Sequence, residues 1–263
     1  MTATSHLPDG WSVGAGLEGE GIIITGAARG IGAAVAHAVA STGARVMAVD
    51  MNAEALQETV DGMPGEGHVA VVQDLSDISQ HGALVRRAQD ELGGLWGIAH
   101  MAAVLRRRAD VTQVTEEDWD VQVDVNLKAA FFLCREVGLA LTEAGRGGRI
   151  VTFSSQGWWT GGFGGSVVYC AAKGGVVSFT RGLARTFGAA GITVNSVSPG
   201  AVETPMLLTD LTDEDVANME KVTPLGRLGK PHELAGPVVF LLSHHASFVS
   251  GATLNVSGAW LMY

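Results

Sequence analysis

The feature that most constrains the fold is an alternation, repeated along most of the chain, between short apolar runs and longer runs of helical periodicity. The short runs are hydrophobic at consecutive positions, which is typical of strands buried on both faces of a parallel sheet. Helices must then cover the two faces, since parallel strands are joined by crossover connections. The pattern predicts strands over residues 21–25, 45–49, 68–72, 95–100, 149–153, 192–197 and 253–256, and helices over residues 31–41, 53–60, 76–92, 115–143, 167–190 and 231–243.

Length and composition agree with one α/β domain. The 263 residues are 47% hydrophobic and 17% charged, which suits a compact globule with a sizeable core. We expect a doubly wound parallel sheet of about seven strands with helices on both faces. The Gly-rich, polar residues 1–20 are expected to form a flexible arm, and residues 21–263 a single domain.

Charge and cysteine content exclude several classes of function. The formal net charge of -10 argues against a nucleic-acid partner, whose phosphates an acidic surface repels. No apolar stretch approaches the ~20 residues of a membrane helix, and the first residues lack a signal-peptide pattern. Cys134 and Cys170 stand in no metal-binding spacing, so we expect reduced thiols in a cytoplasmic protein. The histidines show no metal spacing either, and no metal is expected.

A glycine-rich turn follows the first predicted strand and precedes the first predicted helix. Residues 25–32 have the spacing Gly-x-x-x-Gly-x-Gly. Glycines allow a sharp turn and a close approach to a pyrophosphate, and the helix N-terminus directs its amides at the phosphates. The turn therefore indicates a dinucleotide site in a Rossmann-type fold, and a glycine-rich turn without a ligand is the alternative. The residues that would hold the cofactor here are Gly26, Arg29, Gly30, Ile31 and Gly32.

An acidic residue, Asp50, ends the second predicted strand. A carboxylate at this position accepts hydrogen bonds from the adenosine ribose hydroxyls and repels the 2′-phosphate of NADP. Neither Met51 nor Asn52 supplies a compensating cation, although the Arg29 guanidinium has the chemistry to hold a phosphate. The sequence therefore favours NAD(H) over NADP(H), with Met51 beside the ribose.

Asp74 and Leu75 follow the third predicted strand. The Asp74 carboxylate is a candidate partner of the adenine amino group, with Leu75 packed nearby. The alternative is that Asp74 caps the helix that begins near Ser76.

Tyr169 and Lys173 are four residues apart in a predicted helix and so share one face. A free tyrosine titrates near ~10 and is a poor base at neutral pH. An ammonium one turn away favours the phenolate and lowers that pKa. Such a pair can remove a proton from an alcohol or donate one to a carbonyl.

Taken together, these motifs resemble those of the short-chain dehydrogenase/reductase family over nearly all of residues 21–258. The resemblance is carried by the turn at residues 25–32, Asp74, Asn126 in the predicted helix 115–143, Ser155, Tyr169, Lys173 and Pro199-Gly200. A helix cap at Thr115 with Asp118 is predicted for that helix.

The resemblance implies a role for each of these residues. It implies that Tyr169 is the general acid/base, that Lys173 lowers its pKa and holds the nicotinamide ribose, and that Ser155 binds the substrate oxygen. Ser154 is the alternative to Ser155, because the loop before Tyr169 is about one residue longer than is usual. Asn126 would bind a water that links Lys173 to solvent. The nicotinamide region would be formed by Ala102, Pro199, Gly200, Val202 and Thr204.

Two stretches depart from the family pattern. His100-Met101-Ala102-Ala103 replaces the usual Asn-Asn-Ala-Gly after the fourth predicted strand, and this puts the local geometry in question. Ser257-Gly258-Ala259 replaces the more usual Asp-Gly-Gly. Neither departure removes a catalytic group.

Three variable segments are expected to set the substrate: the loop after Ser155, a lid over residues 204–226, and the C-terminal residues 260–263. Their apolar side chains favour a hydrophobic or cyclic alcohol or ketone, and burial at subunit contacts is the alternative. The acidic residues of the lid, Asp210, Asp213, Glu214 and Asp215, are interpreted as a solvated helix start. The run Arg106–Arg108 is either a solvated surface or a docking point for an acidic group. The candidate substrate contacts are Gln156, Trp158, Phe163 and Met206.

These observations support three functional hypotheses. The first is an NAD(H)-dependent oxidoreductase acting on a small secondary alcohol or ketone, assembled as a homo-oligomer that the resemblance implies is a tetramer. The second is an NADPH-dependent 3-oxoacyl-thioester reductase, against which Asp50 argues and for which Arg106–Arg108 argues. The third is a non-catalytic NAD-binding sensor or scaffold, against which the intact Ser155, Tyr169 and Lys173 argue.

Overall fold

The computed structural model describes residues 12–162, 165–209 and 211–263. Its strands are β1 (Gly21–Thr25), β2 (Arg45–Asp50), β3 (Val69–Val72), β4 (Gly97–His100), β5 (Gly148–Phe153), β6 (Ile192–Pro199) and β7 (Thr253–Val256). They form one seven-stranded sheet in the order β3-β2-β1-β4-β5-β6-β7, and every pairing is parallel. The predicted doubly wound parallel sheet is therefore confirmed.

Helices connect the strands and cover both faces. They are α1 (Gly30–Ala40), α2 (Ala53–Asp61), α3 (His81–Glu91), α4 (Glu116–Val123), α5 (Ala130–Ala144), α6 (Gly157–Thr160), α7 (Val167–Phe187), α8 (Pro205–Leu208), α9 (Asp213–Val222) and α10 (Ala235–Leu242). Short 3-10 helices occur at Ile78–Gln80, Val111–Gln113, Gly188–Ala190, Pro231–Leu234 and His244–Ala246. None of the helices in the described part of the chain has the length and apolar character to cross a membrane.

Two apolar cores lie on opposite faces of the sheet. Alternate residues of each strand point to opposite faces, and in β1 Ile22 and Ile24 join one core while Ile23 joins the other. Helices α1 and α10 complete the first core, and α3, α5 and α7 complete the second. This burial on both faces explains why the strands have no polar alternation.

The helix predicted over residues 115–143 is present but changes its winding. The Thr115–Asp118 capping box begins α4 as expected. A π-helical turn, Asp124–Ala129, then separates α4 from α5. Apolar periodicity gives no signal for one wide turn inside a long helix, and such turns are frequent at functional sites. Asn126 lies in this turn and is fully buried.

Residues 12–20 pack against the domain and do not form the expected flexible arm. Leu17 is fully buried in the core that contains α1 and α10. The His244 amide donates to the Ala15 carbonyl at 3.0 Å, and the Gly19 amide donates to the Gly43 carbonyl at 2.9 Å. One buried leucine and these backbone hydrogen bonds fix the segment, although its glycine content predicts mobility. Residues 1–11 of the predicted arm lie outside the described residues.

Candidate active site

A cleft of about 450 Å³ lies beyond the carboxyl ends of the central strands. Ligands of open parallel sheets bind at this edge. The cleft is lined by every residue predicted above to contact the cofactor, and also by Ser155 and Met206. Lining residues that the sequence did not indicate include Gln73, Val104 and Leu105, whereas Pro205 and Leu207 belong to the predicted lid.

The glycine-rich turn leaves no room for side chains. Gly26 has a φ of 68°, and a Cβ there would lie 2.8 Å from the Ala102 amide nitrogen. A Cβ on Gly32 would lie 1.9 Å from the Gly26 carbonyl oxygen. No side chain caps the N-terminus of α1, where Arg29 has an extended backbone. This uncapped N-terminus has the positive character that favours a phosphate.

Asp50 lies at the end of β2 with its carboxylate fixed by the backbone. One carboxylate oxygen accepts from the Ala28 amide at 3.1 Å, and the other accepts from the Asn52 amide at 3.0 Å. Each oxygen keeps a lone pair that is able to accept from a ribose hydroxyl. Together with the glycine-rich turn, this carboxylate fits the adenosine half of a dinucleotide.

The Asp74 side chain makes a local hydrogen bond, but it does not cap the following helix, as the alternative above proposed. Its Oδ1 accepts from the Ser76 amide at 2.8 Å, which is an Asx turn and not a helix cap. Asp77 caps the 3-10 helix that precedes α3, so α3 begins five residues after the predicted start. Leu75 is buried beside the cleft.

Ser155 and Tyr169 are brought together by the end of β5 and the first turn of α7. Both side chains line the cleft, and the Ser155 hydroxyl is close enough to lower the pKa of the Tyr169 phenol. Ser154 also lines the cleft, but it is buried and its hydroxyl donates to the Lys173 carbonyl at 2.9 Å. The Ser154 hydroxyl therefore attaches β5 to α7, whereas the Ser155 hydroxyl acts on the phenol.

Lys173 lies one turn after Tyr169 but does not depress its pKa here. The ammonium Nζ donates to the Phe153 carbonyl at 2.8 Å and lies 5.5 Å from the centre of the Tyr169 ring. Burial raises the pKa of Tyr169 above its ordinary value, against smaller lowering effects of the Ser155 hydroxyl and the Arg107 charge. The expectation of a lowered phenol pKa is thus wrong for this state, because the desolvation of the phenolate outweighs any neighbouring charge. Burial also lowers the pKa of Lys173, to about 8.

Asn126 contacts the segment that follows β4. Its side-chain oxygen accepts from the Val104 amide at 2.9 Å, and its amide nitrogen donates to the Val104 carbonyl at 2.8 Å. Both polar ends of the side chain are therefore engaged with the backbone. The side chain fixes this segment against the π turn and does not line the cleft.

A threonine hydroxyl replaces the missing asparagine amides at the end of β4. The Thr25 oxygen accepts from the amides of Met101 at 3.0 Å and Ala102 at 3.1 Å. It also lies 3.0 Å from Nδ1 of His100. Since both amides are donors, the single hydroxyl proton is directed to His100 Nδ1, and the imidazole carries its own proton on Nε2.

His100 is buried and neutral. Burial, with a smaller effect of the Lys173 charge, lowers its pKa to about 3. Its Nε2 is buried and has no hydrogen-bond partner among the described residues. The end of β4 is therefore still held although the asparagines of the family pattern are missing. The side chains that hold it are those of Thr25 and His100.

The residues predicted to contact the substrate lie in different parts of the structure. Met206 lines the cleft from α8. Gln156 is buried elsewhere, and its amide nitrogen donates to the Ser198 carbonyl at 3.1 Å and to Asn255 Oδ1 at 2.7 Å. Phe163 lies outside the described residues.

Trp158 also lies away from the cleft, contrary to its prediction. Its ring packs edge-on against Trp159 and Tyr263, each with centroids 5.2 Å apart. The helical turn α6 directs these indoles to the C-terminal residue. Trp158 and Trp159 therefore pack against the C-terminal residue, Tyr263.

The basic run Arg106–Arg108 is partly exposed to solvent, and its guanidinium groups are engaged in hydrogen bonds or ion pairs. Arg108 makes a bidentate pair with Asp118, both distances being 2.6 Å, and Arg106 pairs with Glu117 at 2.9 Å. Arg107 extends to the other side of the cleft. Among the described residues, no group of three or more His, Cys, Asp or Glu side chains has the arrangement to hold a metal ion.

Comparison with known proteins identifies the family. A family model described as enoyl-(acyl carrier protein) reductase matches residues 26–259, most of the chain. The chain is 35% identical to the D-threitol dehydrogenase of Mycolicibacterium smegmatis over 93% of this chain and 94% of that protein. The chain belongs to the short-chain dehydrogenase/reductase family. It is accordingly an NAD(P)-dependent oxidoreductase that acts on alcohol or ketone groups.

Other members of the family are equally similar. The 3-oxoacyl-acyl-carrier-protein reductase of Escherichia coli is 35% identical over 94% of this chain and 99% of its own length. A solved structure from Beutenbergia cavernae, described as an NAD(P) dependent gluconate 5-dehydrogenase with NADP bound, has a TM-score of 0.85 and 34% identity, covering 95% of this chain and 99% of that chain.

Proposed function

We propose that this short-chain dehydrogenase/reductase oxidises a secondary alcohol with NAD and reduces the corresponding ketone with NADH. The observation that carries the proposal is that Ser155 and Tyr169 line the same cleft as the glycine-rich turn and Asp50. The two hydroxyl groups are close enough for Ser155 to lower the pKa of the phenol. A substrate oxygen between these hydroxyls would accept from one and exchange a proton with the other.

The bound nicotinamide cofactor would supply or accept the hydride. Ser155 would bind the substrate oxygen, and Tyr169 would move the proton at that oxygen. Because burial raises the pKa of Tyr169, the phenol keeps its proton at neutral pH and is ready to donate it to a ketone. Alcohol oxidation requires the phenolate, so its rate should rise with pH.

Asp50 supports the preference for NAD(H). Its carboxylate is held at the end of β2 by two backbone amides, and the neighbouring Met51 and Asn52 carry no positive charge. A 2′-phosphate would meet this carboxylate, and Arg29, in the glycine-rich turn that lines the same cleft, has the charge to offset part of the repulsion. Turnover with NADH and with NADPH decides the point: a clear NADPH preference would contradict this assignment.

The substrate is proposed to be hydrophobic or cyclic. The cleft beside Ser155 and Tyr169 is bordered by the apolar side chains of Val104, Leu105, Met206 and Leu207. Residues 204–226, which include α8 and α9, would form a lid over it. We expect higher kcat/KM for cyclic and aromatic secondary alcohols than for polar ones of equal size, measured across a matched panel.

The second candidate is an NADPH-dependent 3-oxoacyl-thioester reductase, for which the similarity to the Escherichia coli reductase speaks. Against it stands the pairing of Arg106 and Arg108 with Glu117 and Asp118, which reduces the charge available to an acidic carrier protein. Reduction of an acetoacetyl thioester with NADPH at a higher kcat/KM than any ketone with NADH would favour this candidate.

Replacement of the phenol tests the mechanism. Tyr169→Phe should retain NAD binding while kcat falls by about 10²–10⁴-fold. The second tyrosine of the chain provides the control, since Tyr263→Phe should leave kcat within about twofold. A Tyr169→Phe protein with unchanged kcat would refute the acid/base assignment. A wild-type protein that binds NAD but turns over no alcohol in a broad panel would favour the sensor or scaffold hypothesis.

Assembly as a homotetramer and a cytoplasmic location complete the proposal. Exposed apolar side chains such as Phe248, Leu139 and Trp119 support subunit contacts. The two free cysteines agree with a reducing compartment. Light scattering on the purified protein tests the tetramer, and a monomeric mass would contradict it.

A further inference from the structure

The segment that follows β4, residues 104–108, is fixed to its own side of the cleft at alternate positions. Asn126 holds both backbone polar groups of Val104. The Arg106 amide donates to the buried Gln122 side chain at 3.1 Å. The Arg108 guanidinium pairs with Asp118, whose side chain is only 1% exposed. The segment is therefore a fixed support.

The loop that precedes α7 also holds the segment 104–108 in place. The Arg108 amide donates to the Gly165 carbonyl at 3.1 Å. A Cβ on Gly165, which has a φ of 75°, would lie 1.7 Å from the Arg108 carbonyl oxygen. Only glycine permits this close approach.

Arg107 is the member of the run that crosses to the opposite rim. One terminal nitrogen of its guanidinium donates to the Thr209 carbonyl at 2.9 Å, and the other donates to the Leu207 carbonyl at 3.2 Å. Leu207 is in the last turn of α8 and Thr209 is its C-cap residue, where backbone carbonyls lack helical partners. Within the described residues, no carboxylate forms an ion pair with Arg107 at 4.0 Å or less.

Apart from Arg107, few side-chain contacts hold the C-terminal end of α8. Thr204 caps its N-terminus, accepting from the Leu207 amide at 3.2 Å. The helix is only four residues long, and Met206 and Leu208 are exposed at 39% and 41%. Met206 and Leu207 nevertheless border the cleft opposite Val104 and Leu105.

We propose that Arg107 is a positioning residue that fastens α8 to the segment after β4 and so holds the substrate side of the cleft closed. The inference rests on the proposed function, because it concerns entry to the same site. The Arg107 guanidinium hydrogen-bonds to α8 and not to the catalytic side chains, and its charge lowers the pKa of Tyr169 only as the last of several causes. Its main action is therefore through the position of Met206 and Leu207. Loss of the guanidinium should therefore weaken substrate binding much more than it slows the reaction of bound substrate.

The test compares Arg107→Gln with Arg106→Gln, its neighbour in the same run, which makes its side-chain pairs on the fixed side. Two readouts are needed. Steady-state kinetics with a ketone gives KM and kcat separately, and limited proteolysis with chymotrypsin reports cleavage after Met206, Leu207 or Leu208, identified by mass. The second readout needs no turnover, so it still tests Arg107 if the proposed oxidoreductase activity fails.

For Arg107→Gln we expect the ketone KM to rise about tenfold, kcat to change less than about threefold, and cleavage in α8 to accelerate about tenfold. Arg106→Gln should leave all three within about twofold. Unchanged KM and unchanged cleavage in Arg107→Gln would overturn the proposal. So would a roughly hundredfold slower turnover at constant KM, since that result makes Arg107 a catalytic residue.

Arg107→Lys keeps the inference testable if the glutamine variant does not fold. An ammonium keeps the charge but serves these two carbonyls less well than the planar guanidinium. Cleavage in α8 should then accelerate by about threefold. A lysine variant that is cleaved at the wild-type rate would contradict the proposal.

Discussion

The Thr25 hydroxyl lies 3.0 Å from the His100 imidazole and joins the end of β1 to the end of β4. The same hydroxyl accepts two backbone amides of the residues that follow β4. One small side chain therefore satisfies three buried polar groups where the family pattern has asparagine amides. It also positions Ala102 against Gly26 in the glycine-rich turn.

Removal of the Thr25 hydroxyl should destabilise the protein. Thr25→Val keeps the shape but leaves two amides and His100 Nδ1 without their partner, so we expect the free energy of unfolding to fall by about 2–4 kcal/mol. Urea unfolding measures the change. Thr25→Ser keeps the hydroxyl and should lose only about 1 kcal/mol, for the missing methyl group. Equal stability of the valine and serine variants would show that the hydroxyl is not needed.

His100 should make stability depend on pH. Its pKa is lowered to about 3 by burial in the folded state, against an ordinary value of 6.5. Between these values the unfolded chain binds a proton that the folded protein does not. The free energy of unfolding therefore keeps its full value above pH 6.5. It decreases by about 1.4 kcal/mol per pH unit as the pH falls from 6.5 toward 3.

The matched variant isolates that contribution. His100→Asn restores the family residue and cannot titrate, so its stability should fall less steeply between pH 6.5 and 5 than that of the wild type. His81, whose pKa is also lowered by burial, remains in both proteins and cancels in the comparison. Parallel pH profiles for the two proteins would mean that His100 is protonated in the folded state.

Cofactor preference should change with two side chains. Replacement of Asp50 by Ser and Met51 by Arg removes a negative charge and adds a cation where a 2′-phosphate would lie. We expect the ratio of kcat/KM for NADPH over NADH to rise at least tenfold, or about 1.4 kcal/mol. Asp90→Ser, on the exposed side of α3, is the control and should leave the ratio unchanged. A constant ratio in the double variant would disprove the role of Asp50.

Ala259 offers a stabilising substitution. It has a φ of 66°, and no other non-glycine residue in the described part of the chain has a positive φ. A residue with a side chain is destabilised by about 1–2 kcal/mol in the left-handed region. Glycine avoids this strain, but the greater freedom that it gives the unfolded chain lowers the free energy of unfolding by about 0.4–1 kcal/mol. Ala259→Gly should therefore add about 0.5–1 kcal/mol to the free energy of unfolding.

The same substitution elsewhere should have the opposite sign. Ala217 is exposed within α9, so Ala217→Gly should lower the free energy of unfolding by about 0.5–1 kcal/mol. Thermal unfolding of the two variants beside the wild type measures both effects. A destabilised Ala259→Gly protein would mean that the conformation at 259 carries no strain.

Local patterns predicted the elements whose determinants lie within a few residues. Consecutive apolar residues identified the strands, and the turn at Gly26–Gly32 was predicted from glycine spacing alone. The helix start at Asp213 followed from its acidic first turn, and Thr212 with Asp215 completes a capping box there. Asp210 lies outside the described residues.

Features that depend on distant partners could not be predicted. Gln156 and Trp158 follow Ser155 closely in sequence, yet contacts with Asn255 and Tyr263 determine where they pack. Leu17 is buried by residues far along the chain. The basic run was recognised in the sequence, but its contacts were not predicted, because the partners of Arg106 and Arg107 lie on different sides of the cleft.

Both cysteines are free thiols buried in the structure, and burial raises the pKa of each, that of Cys134 to about 12. They are the two cysteines of the chain, and neither should react readily with a maleimide dye in the folded protein. A cysteine introduced at the exposed Leu208 would then be the preferred point of labelling. One fluorophore on α8 would let opening of the cleft be followed in real time, without first deleting a native residue.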